Sequence, residues 1–493
     1  MASSSLSSNF FIILMAIISS TFLPNALSRS LMISSLPHSQ ILNVSKSIRN
    51  TVEVLSPKNE AIKQPQQPLY SLSSSSSSSS SSAFAVSIHP RSTLVKPQHN
   101  NYTSLTLSRL ARDSARVSSL LSTLHIFPTN FTRLDKSVQT EELETPVISG
   151  TSQGSGEYFA RIGVGEPVKE FYMAIDTGSD VSWLQCQPCI ECYQQTDPIF
   201  NPIDSSSYNR VPCESPECLA LDISGCVSDT CMYQVTYGDG SFTQGELATE
   251  TVSFGNTGSF SNVAIGCGHD NEGLFIGSAG LIGLGGGKLS LPSQIKATSF
   301  SYCLVDRDSD SSSTLEFNSA GPSDAAFAPL IRNSKQKTFF YVGIDGISVA
   351  GEMLPVPESV FRVDDNGRGG VIVDSGTAVT RLQTIVYTSL RDTFVKYSQH
   401  LPATQGFLLF DTCFDLSSMK TAKVPTVAIH FSGGKALPLR AENVLVPVES
   451  SGKYCLAFAP VDGLSIIGNV QQQGTRVSFD LANNLVGFSR DKC

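Results

Sequence analysis

Two aspartates carry the strongest chemical signal. Asp176 closes Phe171-Tyr172-Met173-Ala174-Ile175-Asp176 and runs straight into Thr177-Gly178-Ser179. Asp374 closes Gly370-Val371-Ile372-Val373-Asp374 and runs into Ser375-Gly376-Thr377. An apolar run ending in Asp-(Ser/Thr)-Gly puts an ionisable carboxylate at the end of a buried strand. That is costly unless neighbours bond the acid or it keeps a proton. Each glycine lets the chain turn sharply and frees an N–H to point back at the acid. One triplet recurs by chance; two, far apart in the chain, suggest related halves that bring their acids together. Carboxylates held about 3 Å apart in a low-dielectric cleft share one proton. One then takes a proton from a water between them while the other donates to a carbonyl oxygen. Such a pair hydrolyses an amide without a metal or a covalent intermediate.

The elements that must position these acids read as strands. Tyr158 to Val164 and Glu170 to Asp176 alternate or run apolar, and Gly-rich turns separate similar stretches to the C-terminus. Each half carries a later apolar-Gly element, Leu281-Ile282-Gly283-Leu284-Gly285 and Ser465-Ile466-Ile467-Gly468-Asn469. The order of acid triplet, then apolar-Gly, predicts an internal duplication with its junction near residues 325–340. Met232 to Ser241 reads as a hairpin. The clearest helix is predicted over Thr384 to Tyr397, with Ile385, Val386, Leu390, Phe394 and Val395 on one face. The fold class is mostly β with few short helices.

Charged residues make up 16 % of the 493 residues and hydrophobic ones 40 %, enough for a sizeable core. The net charge of −9 argues against broad nucleic-acid binding, yet it divides unevenly: +5 over residues 1–145 and −14 over the remainder. A basic front and an acidic back attract each other at neutral pH, and the attraction fades as the acids protonate. All 12 cysteines lie between Cys186 and Cys493, as in a disulfide framework from an oxidising compartment. Cys186-x-x-Cys189-x-x-Cys192 has a spacing that could hold zinc. With no nearby His and so many other cysteines, disulfides are the expectation, with the pairing open.

Residues 1–28 read as a secretory signal, with an apolar Phe10 to Ile18 and small residues at Ala26-Leu27-Ser28. The absence of Lys or Arg before Arg29 keeps a plastid transit peptide as the alternative. No later stretch reaches the roughly 18 apolar residues of a membrane span. Residues 29–145, with a Ser run at 73–82, are expected to be largely disordered. The exception is a basic amphipathic helix over Leu105 to Leu124. Leu107, Leu110, Ala111, Val117, Leu120 and Leu121 recur at helical spacing, with Arg109, Arg112 and Arg116 between them. It is either a marginal helix or one that lays basic side chains across an acidic cleft; a DNA-binding role is the weakest reading. Sequons at Asn43, Asn101 and Asn130 predict glycans on this front segment. The mature sequence is expected to begin near Glu144 to Val147.

With both triplets, a Tyr237-Gly238-Asp239-Gly240 hairpin, both apolar-Gly elements and this cysteine spacing in order, residues 146–493 resemble pepsin-type aspartic proteases. Within them the likeness is to the plant nepenthesin-like branch. The resemblance implies a bilobal pepsin-like fold with lobes 146–330 and 331–493 and a catalytic cleft between them. It implies a monomeric endopeptidase of acidic pH, without cofactor or metal, acting on polypeptides. The enzyme would be made as a zymogen with its own propeptide as inhibitor, in the secretory pathway: apoplast, vacuole or endoplasmic reticulum. Asp176 and Asp374 are then the catalytic pair. Ser179 and Thr377 would bond the outer carboxylate oxygens. Thr177 and Ser375 would brace the loops, with Gly178 and Gly376 at the turns. Tyr237 to Gly240 would be the flap, Tyr237 reaching toward Trp183. The implied disulfides are Cys186–Cys189, Cys192–Cys267, Cys213–Cys231, Cys218–Cys226, Cys303–Cys493 and Cys413–Cys455. Two other readings stand beside this one. The first is a silent pepsin-fold protein that inhibits glycan-degrading enzymes, such relatives typically having a damaged triplet. The second is a plastid aspartic protease with nucleic-acid affinity.

Overall fold

The computed structural model describes residues 36–56, 83–94, 99–125, 158–237, 241–273, 275–319 and 321–493. The signal segment, the Ser run, Asn130, the stretch near Glu144 and the hairpin tip Gly238-Asp239-Gly240 lie outside the described residues.

The front of the chain carries more order than its composition suggests. Strand β1 (Ser39–Leu42) pairs antiparallel with Ala422–Pro425. Helix α1 (Val44–Glu53) follows, its N-terminus capped by Asn43, whose side chain accepts from the Lys46 N–H at 2.9 Å. Leu42 and Val44 are fully buried in the core of the C-terminal half, and Ile48 packs on it. Strand β2 (Phe84–Pro90) runs antiparallel between Ser313–Phe317 and strand β3 (Tyr158–Val164), with Val86 and Ile88 turned into the core. Helix α2 spans Tyr102–His125, and Asn101 caps it by accepting from the Ser104 N–H at 2.8 Å. The expectation of disorder beyond one helix is therefore corrected. A few apolar residues suffice because they complete sheets built by distant parts of the chain. Asn43 and Asn101 are both exposed.

Strand β3 pairs antiparallel with β4 (Lys169–Asp176), and β4 lies parallel to Gly280–Gly283, with Asp176 opposite Gly283. Strand β5 (Trp183–Gln185) is antiparallel to Gly280–Leu281 and parallel to Gly266–Gly268. The other half repeats each pairing. Val371–Val373 lies parallel to Ser465–Ile467, while Thr380–Gln383 is antiparallel at Ile466 and parallel to Phe458–Val461. This shared set of pairings is the structural form of the duplication. The halves meet in one sheet: Ala326–Ile331, Leu485–Arg490, Thr475–Asp480, Ser299–Cys303, Ser313–Phe317, β2 and β3, in that order. Helix α3 spans Thr384–Tyr397. It buries Val386, Leu390 and Phe394, but Ile385 and Val395 are 55 % and 44 % exposed, each one position off the inward face.

All 12 cysteines are in disulfides, and two of the implied pairs hold, Cys303–Cys493 and Cys413–Cys455. The other four are corrected. Cys186 joins Cys267, and Cys189 joins Cys192. Strand β5 runs parallel to Ser259–Glu272, and the Cys186 N–H reaches Gly268 O at 2.8 Å, so Cys186 meets Cys267 while the loop beyond it closes on itself. Cys213 joins Cys226, and Cys218 joins Cys231. Burial sorts them: Cys218 and Cys231 are buried, whereas Cys226 is exposed and Cys213 half-buried. With every sulfur paired, the Cys186–Cys192 run supplies no thiolate for zinc.

Candidate active site

Asp176 ends a strand whose last six residues are buried, and Asp374 directly follows the equivalent strand, Val371–Val373, of the other half; they are 3 % and 0 % exposed. Their loops are locked to each other by a reciprocal pair of bonds. The Thr177 N–H donates to Ser375 Oγ at 3.2 Å, and the Ser375 N–H donates to Thr177 Oγ1 at 2.9 Å. Each hydroxyl then donates across the seam, Thr177 to Val373 O and Ser375 to Ile175 O, both at 3.3 Å. Gly178 and Gly376 sit where each loop presses on the opposite acid. A Cβ on Gly178 would lie 2.9 Å from Asp374 Oδ1, and one on Gly376 would lie 2.9 Å from Asp176 Oδ1.

The outer carboxylate oxygens are held from within each loop. Ser179 Oγ donates to Asp176 Oδ2 at 2.6 Å; the Thr377 hydroxyl and N–H donate to Asp374 Oδ2 at 2.6 and 2.8 Å. The Gly178 N–H donates to Asp176 Oδ1 at 2.9 Å. Behind the loops, Asn469 Nδ2 donates to Ser375 O and Gln472 Nε2 to Asp374 O, at 3.0 and 3.2 Å. Sequence reasoning singled out the Gly468-Asn469 turn but not this bracing.

Of the residues expected to form a flap, Tyr237 lies within the described set and finds a partner. The Trp183 indole N–H donates to the Tyr237 hydroxyl at 3.0 Å, and both rings pack on Phe275 with centroids 4.9 and 5.2 Å away. The hairpin closes with the Tyr237 N–H on Ser241 O at 2.7 Å.

The cleft is filled by α2. Arg116 Nη2 donates to Asp176 Oδ1 at 2.5 Å and to Asp374 Oδ1 at 3.2 Å, and its Nε donates to Asp374 Oδ2 at 3.3 Å. One nitrogen within reach of both acids means that the inner carboxylate oxygens stand side by side. Burial raises the Asp176 pKa, and the Arg116 charge offsets this only in part while the neighbouring Asp374 adds to it. At Asp374 burial acts in the same direction, but the Arg116 charge and hydrogen bond outweigh it and hold the acid below its ordinary value.

The rest of α2 is anchored on both sides. Asp113 accepts from the Ala378 and Val379 N–H groups at 2.7 and 2.9 Å and pairs with Arg381 at 2.5 Å. Arg109 pairs with Asp308 at 2.8 Å, and the Tyr102 hydroxyl reaches the other oxygen of that carboxylate at 2.7 Å. Val117 and Leu120 pack on Phe339, Ile372 and Ile466, and Leu110 packs on Val379 and Phe410. Leu107, placed on the apolar face by its spacing, is 42 % exposed, while Arg109, Arg112 and Arg116 are buried. The charged face points inward because the cleft is acidic. Sequence reasoning missed Asp113 and Arg381; their signal, opposite charges far apart in the chain, has no spacing rule.

A two-lobed, mostly-β chain with paired aspartates on a pseudo-twofold seam is of the pepsin-like class. The comparisons agree. Residues 158–318 and 339–490 match the family models described as xylanase inhibitor N-terminal and C-terminal. Aspartyl protease family protein 2 of Arabidopsis thaliana is 51 % identical over 78 % of this chain and 81 % of its own. Protein ASPARTIC PROTEASE IN GUARD CELL 2 of the same plant is 48 % identical over 78 % and 83 %. Nepenthesin-2, an aspartic proteinase of Nepenthes gracilis, is 42 % identical over 71 % and 80 %. Among solved structures, edgp superposes with a TM-score of 0.58 at 19 % identity, covering 69 % of this chain and 92 % of that one. Soybean basic 7S globulin follows at 0.54 and 21 %, covering 69 % and 94 %; both show the fold. The chain belongs to the plant nepenthesin-like aspartic proteases and is an aspartic-type protease. Among the described residues no helix is long and apolar enough to cross a membrane.

Proposed function

We propose that this chain is an acid endopeptidase made as a secretory zymogen, with Asp176 and Asp374 as its catalytic pair and residues 29–145 as its inhibitory propeptide. One observation carries the reading: a single guanidinium nitrogen of Arg116 bonds both buried aspartates. That nitrogen occupies the place where a shared water must lie. While α2 stays docked, neither water nor a peptide carbonyl can enter. Once it leaves, the ionised acid takes a proton from the water, and the protonated acid bonds the oxygen that develops charge on the attacked carbonyl. Ser179 and Thr377 fix the outer oxygens, so the inner ones face the reacting atoms. Tyr237, held by Trp183, would cap the cleft and exclude bulk water.

The inhibitor reading draws on the family models' description. Against it stand two whole triplets and a full set of bonds around both acids, which a binding protein has no need to keep. The test is acid treatment of the full-length chain near pH 3–5. The zymogen reading expects a fall in mass together with pepstatin-sensitive peptide cleavage, and loss of both in Asp176→Ala and Asp374→Ala. Full activity in either variant would sink the assignment.

A further inference from the structure

The contact next to the plugged dyad says what the open cleft prefers to bind. Asp113 stands three residues before Arg116 on α2, on the same face and about 4.5 Å along the axis. Its carboxylate is buried, held by two backbone N–H groups and one guanidinium. Those N–H groups belong to Ala378 and Val379, the residues directly after Thr377, so they line the same loop that carries Asp374. Arg381 is 5 % exposed, and its Nη1 has no hydrogen-bond partner among the described residues. Removing α2 therefore uncovers two backbone donors converging with a buried cation one helical turn from the catalytic water. A buried charge left without an anion is unfavourable, and two free N–H groups add to that.

We propose that the Ala378 and Val379 N–H groups and the Arg381 guanidinium form a carboxylate-binding subsite of the substrate cleft. Asp113 fills it in the closed chain; an Asp or Glu side chain of the polypeptide substrate fills it once α2 has gone. This rests on the reading of the cleft as that of a protease. The subsite is built for a carboxylate: two N–H groups on one oxygen and a guanidinium on the other is an arrangement a neutral amide matches poorly, since its NH₂ would face donors. An extended peptide advances about 3.3 Å per residue, which places the acidic side chain within three residues of the scissile bond. Leu110, one further turn along α2, sits among Val379, Phe410, Val448 and Ala459, so the neighbouring subsite is apolar.

The test uses acid-processed full-length chain and a random peptide library at pH 5, where a peptide carboxylate is ionised. Asp and Glu should be enriched at one fixed position within three residues of the cut. Peptide pairs differing only by Asp against Asn there should differ roughly tenfold to a hundredfold in kcat/KM. In Arg381→Leu that ratio should fall to near one, and Arg381→Lys should keep part of it. If Arg381→Leu does not fold, the peptide pairs on the natural chain decide alone. Cleavage with no acidic preference, or a preference that survives in Arg381→Leu, would overturn the subsite and leave the protease standing. A processed chain that cleaves no peptide would overturn both.

Discussion

Replacing Arg116 by Met should let this chain act at a pH where the natural one is shut. Arg116 is 4 % exposed and makes three charge-assisted contacts to the paired acids, at 2.5, 3.2 and 3.3 Å. Removing one partner of a buried ion pair costs about 3–5 kcal/mol, because the other is left uncompensated. Set against α2 swinging out, that shifts the opening equilibrium by roughly two to four powers of ten. The helix would not fall away, since Asp113–Arg381, Arg109–Asp308 and the packing of Leu110, Val117 and Leu120 remain. The sign of the pH effect follows from Asp374. In the closed form Arg116 holds its pKa below the ordinary 3.8. A group depressed in this way stabilises the closed form fully above that value, and its contribution disappears as pH falls through the lower one. Arg116 lowers the Asp176 pKa as well, against burial and the neighbouring acid, so protonation of either acid weakens its hold. With Met at 116, opening should therefore begin at higher pH. The assay is a quenched fluorescent peptide, with self-processing followed by mass, stepped from pH 7 to pH 3. Arg116→Met should process and cleave at a higher pH than the natural chain, and Arg116→Lys, a point charge that cannot bridge both acids as a fork does, should fall between. A variant with the same threshold as the natural chain would refute the idea that this guanidinium is what shuts the site.

Other outcomes follow from the same geometry. Leu42→Ala, which empties a fully buried site under β1, should cost about 2–5 kcal/mol in the full-length chain, read as a lower Tm, without lowering the pH of activation. Glu246 is held to about 2, chiefly by the His269 imidazole 3.9 Å away, while burial acts the other way and the Tyr208 hydrogen bond and Arg210 assist. Its stabilising effect is complete above about 4.5 and is lost toward pH 2, so the Tm deficit of Glu246→Gln should shrink over that range. Tyr237→Phe removes the acceptor of the Trp183 indole and should alter the emission of the only Trp, with a net loss of about 1 kcal/mol in kcat/KM. Non-reducing peptide mapping should recover Cys186–Cys267, Cys189–Cys192, Cys213–Cys226 and Cys218–Cys231; any of the swapped pairs would contradict the burial argument.

How much the sequence discloses depends on the range of the interaction that decides each feature. The duplicated strands and the two acids were legible because each is a local pattern, an apolar run meeting Asp-(Ser/Thr)-Gly, repeated with the same order of later elements. Helix α3 was legible to its ends for the same reason, yet its inward face was misjudged at Ile385 and Val395, because periodicity cannot say where the partner lies. Of the six cysteine pairs that the resemblance implied, two were right. Cys226 and Cys231 stand opposite each other in one hairpin, and which of them takes Cys213 is settled by which sulfur is buried.

The same limit explains the front segment, where the sequence leaves the helix between a marginal one and one laying Arg109, Arg112 and Arg116 across an acidic cleft, and Asp113 goes unnoticed. Arg109, Asp113 and Arg116 lie at successive turns of α2 and would mark a water-facing stripe on any isolated helix. In this chain each meets a charge supplied from elsewhere: Asp308, Arg381 and the paired aspartates. The alternation basic, acidic, basic along α2 is matched by acidic, basic, acidic along the cleft. A stripe so matched can hold an inhibitor in place only while the charges persist. On the zymogen reading proposed above, the acidic partner at the cleft centre is also the pair that later shares a proton. Protonation of that centre would weaken the lock and set the acid–base state for catalysis in one step, so the activating condition and the working condition need no separate sensor.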